Sequence, residues 1–162
     1  YGNSRVIAFE HSGKFLRMFG GTFGSGPGQI NNAHSLAYVE GKLIVCDRNN
    51  SRFHVYDAET TAWLETWSHA SELLPPDPEQ GPTYWTEPSM GRLPGHRMGF
   101  TWAVRWDATS RMLYSLEGSM AVIRTLDGEV VGKWDIDPAH DLVVRTRRGK
   151  TRIFIGDLKP KF

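Results

Sequence analysis

The sequence predicts an all-β repeat fold, and three observations carry that prediction. Tyr1-Gly2-Asn3-Ser4-Arg5-Val6-Ile7-Ala8-Phe9 returns as Arg48-Asn49-Asn50-Ser51-Arg52-Phe53-His54-Val55-Tyr56, at an offset of 47 residues (52 − 5). His34-Ser35-Leu36-Ala37 returns more faintly as His140-Asp141-Leu142-Val143. Aromatic and β-branched runs alternate with Gly, Asn and Asp turns, which is the composition of strands rather than helices. Self-similarity with a period in the forties and about four short strands per period points to propeller blades.

The elements follow in order. The run Val6 to Phe9 is followed by Lys14 to Phe19 across the turn His11-Ser12-Gly13, and the Gly-rich stretch Gly20 to Gly28 then connects to a second set. Here Ser35 to Tyr38, Leu43 to Cys46, Phe53 to Tyr56 and Trp63 to Trp67 read as four antiparallel strands joined by tight turns, one complete blade. A second complete blade runs through Phe100 to Trp106, Met112 to Leu116, Ala121 to Leu126 and Val130 to Trp134. Asp141 to Val144 and Thr151 to Ile155 look like the first half of another. The expectation is one domain over residues 1–162, with two full blades, two half-blades and the remaining N-terminal blades of the ring outside this chain. Between about residues 68 and 98 the pattern breaks. Pro75-Pro76-Asp77-Pro78, Gly81-Pro82 and Pro94-Gly95 argue against regular structure there, so this stretch reads as an insert, either a surface loop or a rim segment carrying Tyr84-Trp85.

Composition narrows the function classes. With 40% hydrophobic and 23% charged residues the chain can bury a core, and its formal net charge of +1 gives no reason to expect nucleic acid as partner. No apolar run approaches the roughly 20 residues that span a bilayer. The single Cys46 follows Leu43-Ile44-Val45 and reads as a small buried apolar residue, which leaves the redox compartment open.

Two pairs of residues bear chemistry. His34 and His140 both stand at the start of a blade's innermost strand, each preceded by alanine and separated by 106 residues (140 − 34). Histidines at matching positions of alternate blades converge on the central channel, where neutral imidazoles serve either as metal ligands or as hydrogen-bonded structural residues. Tyr1 and Arg48 occupy equivalent turns at the 47-residue offset (48 − 1), on one face of neighbouring blades. A guanidinium favours a nearby phenolate and lowers a tyrosine's pKa, which suits a general base. The plainer alternative pairs Arg48 with Asp47 or another carboxylate. The basic turn Arg145-Thr146-Arg147-Arg148-Gly149-Lys150 reads as a solvated surface.

These residues resemble a known family. Tyr1-Gly2-Asn3-Ser4-Arg5, Gly13-Lys14-Phe15, Gly26-Pro27-Gly28-Gln29, His34-Ser35-Leu36-Ala37 and Val45-Cys46-Asp47-Arg48 follow, in order and spacing, the peptidyl-α-hydroxyglycine α-amidating lyases, built on six-bladed propellers of NHL-type repeats. The resemblance runs to about Ser71, lapses, and returns at Ala139-His140-Asp141-Leu142 and Ile155-Gly156-Asp157. It implies an enzyme converting a peptide that ends in α-hydroxyglycine into a peptide amide and glyoxylate. It further implies that His34 and His140 are two of three zinc-binding histidines, Tyr1 the catalytic tyrosine and Arg48 an active-site arginine. Asp141 matches an acidic residue that helps hold a structural calcium. The third histidine and a second arginine would lie upstream, and the family's setting suggests a secreted or extracytoplasmic protein. The chain departs from animal members around Gly2 and Ile44, where those carry cysteines, and at Pro138, where they carry methionine. A non-catalytic NHL-repeat propeller that binds a protein or peptide is the alternative.

Overall fold

The computed structural model describes residues 3–70, 100–137 and 139–157. Twelve strands and a single 3-10 turn are found among them. β1 (Arg5–Phe9) and β2 (Phe15–Gly20) form an antiparallel hairpin. β3 (Ala33–Val39), β4 (Lys42–Asp47), β5 (Arg52–Asp57) and β6 (Trp63–Ser68) form a four-stranded sheet in chain order, with the 3-10 turn Arg48–Asn50 between β4 and β5. β7 (Thr101–Asp107), β8 (Met112–Glu117), β9 (Met120–Arg124) and β10 (Val130–Asp135) repeat that arrangement, and β11 (Ala139–Arg147) pairs with β12 (Lys150–Asp157). These elements fall where the alternation of strand runs and turns places them. The one shortened strand is β9, which stops at Arg124 because Thr125 Oγ1 and its backbone already serve the turn to Glu129. The insert expected at about 68–98 falls almost wholly within residues 71–99, outside the described residues.

Sheets stack face to face in chain order because their middle strands are apolar on both sides. In β4, Leu43 and Val45 face β1 and β2 through Phe19, while Ile44 and Cys46 face the second four-stranded sheet through Val104 and Leu113. The two-residue period of a strand sends alternate side chains to opposite faces. A continuous run such as Leu43-Ile44-Val45-Cys46 therefore signals burial between two layers, and all four are buried. Fully burying a side chain such as Ile44 contributes about 1.5–3 kcal/mol. In β8, Leu113 packs back toward the first sheet while Tyr114 and Leu116 pack forward onto Leu142 of β11.

In both four-stranded sheets a buried ion pair holds the carboxylate at the end of the second strand: in the first the cation opens the third strand, in the second it closes it. Asp47, at the end of β4, accepts from Arg52 Nε at 2.8 Å, Asn50 Nδ2 at 2.7 Å and the Asn31 amide at 2.6 Å. Glu117, at the end of β8, accepts from Arg124 Nε and Nη2 at 2.8 Å each, from Ser115 Oγ at 2.6 Å and from the Ala70 amide at 2.6 Å. Both carboxylates are fully buried, so each needs this full set of donors to offset its desolvation. The pair at Asp47 positions the turn that presents Arg48.

Candidate functional site

The first strands of the last three sheets meet one another, and each carries a register shift near its start. Ala33 pairs with Asp47 but the next pair is Leu36 with Val45. Thr101 pairs with Glu117, then Ala103 with Leu116; Ala139 pairs with Asp157, then Asp141 with Gly156. The residues caught in these shifts are His34 with Ser35, Trp102, and His140. A bulge bends its strand and re-aims the extra side chain. Three such bulges at one level bring His34, Trp102 and His140 together.

The His34 and His140 rings lie 5.0 Å apart between centroids at 75°. Trp102 lies 5.6 Å from each of them. His34 Nδ1 donates to the Trp102 carbonyl at 2.7 Å. A carbonyl only accepts, so Nδ1 holds the proton and the neutral ring presents its lone pair on Nε2. Burial pushes the His34 pKa down, the Arg48 and His140 charges push the same way, and the bond to Trp102 opposes them. The net lowering keeps His34 neutral near neutral pH, the form able to donate a lone pair.

Arg48 reaches the same place from the 3-10 turn. Its guanidinium carbon sits 4.3 Å from the Trp102 ring and 4.8 Å from the Phe100 ring, within cation–π range of both. Asp47, the carboxylate next in sequence, turns away to Arg52, so the alternative that pairs Arg48 with Asp47 does not hold. The second sheet has Gly118 at the position equivalent to Arg48, following Glu117, so only the first contributes a guanidinium here.

The remaining expectations fall differently. Tyr1 lies outside the described residues. Asp141 Oδ1 accepts from the Leu142 amide at 2.8 Å and from Arg105 Nη2 at 2.5 Å, so a calcium ion would share this carboxylate with a guanidinium. Among the described residues no three His, Cys, Asp or Glu side chains gather to hold a metal ion; the histidine pair is what they supply. The basic turn is exposed, with Arg145, Arg147, Arg148, Lys150 and Arg152 lining a shallow cleft beside Phe154.

Trp102 and Phe100 were not singled out by sequence, because aromatics in a strand read as core. Aligning the strand starts Ala33-His34, Thr101-Trp102 and Ala139-His140 would have placed Trp102 at the histidine position.

The fold is that of a partial β-propeller with four-stranded antiparallel blades. No protein-family profile matches the chain. It is 40% identical over 76 residues to mouse peptidyl-glycine alpha-amidating monooxygenase, covering 44% of this chain and 8% of that one. It is 34% identical over 68 residues to human NHL repeat-containing protein 3, covering 41% and 19%. The matched stretch thus spans less than a fifth of either relative. Among solved structures, Saccharomyces cerevisiae Sqt1 superposes with a TM-score of 0.62 over 96% of this chain and 37% of its own, at 8% identity, a likeness of fold alone. Among the described residues no helix is long and apolar enough to cross a membrane.

Proposed function

We propose that this chain carries part of the active site of a lyase that cleaves peptidyl-α-hydroxyglycine to peptide amide and glyoxylate. The observation that carries the reading is the meeting of His34 and His140 at 5.0 Å beside Arg48, in a chain similar over 76 residues to an amidating monooxygenase. The donor chemistry suits zinc: two imidazoles, one of them with its tautomer fixed by a backbone carbonyl, from a set of about three protein ligands. Zinc, when bound, supplies Lewis acidity toward substrate oxygens.

In this reading His34 and His140 hold the metal, and Asp141 belongs to a separate calcium site. Tyr1, placed by repeat position and resemblance, accepts the proton of the substrate hydroxyl. The O–H electron pair becomes the carbonyl of glyoxylate as the C–N bond breaks, its electrons go to the amide nitrogen, and that nitrogen takes up the proton that Tyr1 accepted, so no net proton is consumed. Arg48, charged at all working pH, favours the Tyr1 phenolate and stabilises negative charge on the substrate. The Phe100 and Trp102 rings help fix its position.

The test is glyoxylate release from an α-hydroxyglycine peptide by the full-length protein, together with metal analysis. Glyoxylate and stoichiometric zinc are expected, and Tyr1→Phe should stop turnover while leaving zinc bound. A protein with neither zinc nor glyoxylate release is instead a non-catalytic NHL-repeat propeller that binds a protein or peptide, a reading with which the similarity to human NHL repeat-containing protein 3 is compatible.

A further inference from the structure

We propose that Trp102 is the positioning residue of this site, the side chain that aligns both the histidine pair and Arg48. The proposal rests on the lyase reading for what the site does, and on the geometry alone for how the site is held. Trp102 occupies the bulge of β7, the place that holds His34 in β3 and His140 in β11. Its carbonyl fixes the His34 tautomer at 2.7 Å. Its indole lies 5.6 Å from both imidazoles and 4.3 Å from the Arg48 guanidinium carbon. Phe100 meets it edge-on at 5.4 Å and 85°, closing the space into which the indole would otherwise turn. At 4% exposure it has little room to move. One rigid side chain therefore touches three groups that arrive from β3, β11 and the 3-10 turn.

A tryptophan that merely filled core would behave differently. Its removal would lower stability, while the folded molecules would keep native metal affinity and a native His34 ring. Positioning predicts losses that persist in folded molecules.

The experiment compares Trp102→Leu and Trp102→Phe with the native full-length protein. Trp67→Phe serves as control, because it alters a buried indole packed between the two four-stranded sheets, away from the site. Zinc alone is titrated calorimetrically into metal-free protein, and the His34 ring nitrogens are read by NMR before metal is added. Trp102→Leu keeps the backbone carbonyl behind His34 but removes the ring that packs on both imidazoles, so zinc binding should weaken by about 10-fold, the low end of the range for losing such a partner outright. The carbonyl stays in the backbone, so the tautomer reads whether the indole holds the imidazole against it: with the ring gone, the single Nδ1–H tautomer of His34 should give way to a mixture. Trp102→Phe should retain most of the affinity, and Trp67→Phe all of it. Folded Trp102→Leu with native zinc affinity and a native His34 tautomer overturns the proposal. If native protein takes up no zinc, the lyase reading fails, and the tautomer measurement alone decides Trp102: a mixture in Trp102→Leu supports it, an unchanged ring refutes it. Should Trp102→Leu not fold, Trp102→Met, which keeps bulk without an aromatic face, carries the same two measurements.

Discussion

Replacing Asp47 with asparagine should be among the most destabilising single-atom changes in the molecule. The carboxylate is fully buried and accepts at 2.6 to 2.8 Å from Asn31, Asn50 and Arg52, with His54 Nε2 at 3.4 Å. Asparagine keeps the shape but turns one acceptor oxygen into a donor facing other donors. It also leaves the Arg52 side chain, only 17% exposed, without its counter-charge. Breaking such a pair costs about 3–5 kcal/mol. Arg52 retains the carbonyls of Ser25, Gly26 and Gln29 as acceptors, which argues for the lower end, about 3 kcal/mol. With a urea dependence of about 2 kcal/mol per molar, the unfolding midpoint should fall by about 1.5 M. The comparison is Glu40→Gln in the Arg111–Glu40 pair, whose side chains are 66% and 50% exposed; a pair so screened contributes less than about 1 kcal/mol. If Asp47→Asn shifts the midpoint no more than Glu40→Gln, the carboxylate does not fasten the turn as described.

Other consequences follow from packing and burial. Burial lowers the His69 pKa, with Arg124 and Lys133 acting the same way and Glu117 opposing. The folded state then binds fewer protons than the unfolded state below pH about 6.5, so stability should fall as pH drops through that value. Thermal melts across pH 5 to 8 should show this slope flattened in His69→Gln; an identical slope would remove His69 as its source. Gly128 sits at φ +81° with the Trp67 indole 2.5 Å from where a Cβ would stand. Gly128→Ala should therefore lower stability by about 2–3 kcal/mol. Gly149→Ala, at φ +72° with open space around it, should cost only the backbone strain of about 1–2 kcal/mol; equal losses would show that Trp67 yields freely. Cys46 is fully buried and burial raises its thiol pKa well above the usual value, so alkylation should proceed only at the rate of unfolding. Rapid labelling of native protein would contradict that.

The fold was legible because blade strands write their burial into sequence. A run like Leu43-Ile44-Val45-Cys46, bounded by Glu40-Gly41 and Arg48-Asn49-Asn50, has one sensible structure, and the strand starts at His34 and His140 set where those rings emerge. Register shifts were not legible. A bulge is a property of two strands, and nothing in Thr101-Trp102-Ala103 alone reveals that Trp102 is the residue squeezed out. The partner of Arg48 was hidden for a related reason. Asp47 is its neighbour in sequence, but the adjacent carboxylate bends back to Arg52, and the two rings over which Arg48 lies, Phe100 and Trp102, stand about fifty residues on. Charge adjacency in sequence is a poor guide wherever a turn separates the two side chains.

The most direct test of the account is anomalous scattering at the zinc edge from crystals of the full-length protein grown with zinc. A single strong peak about 2.0–2.1 Å from a ring nitrogen of both His34 and His140 is predicted. A peak bound to neither ring, or no peak with the two imidazoles still 5.0 Å apart, would contradict the metal site and with it the lyase reading.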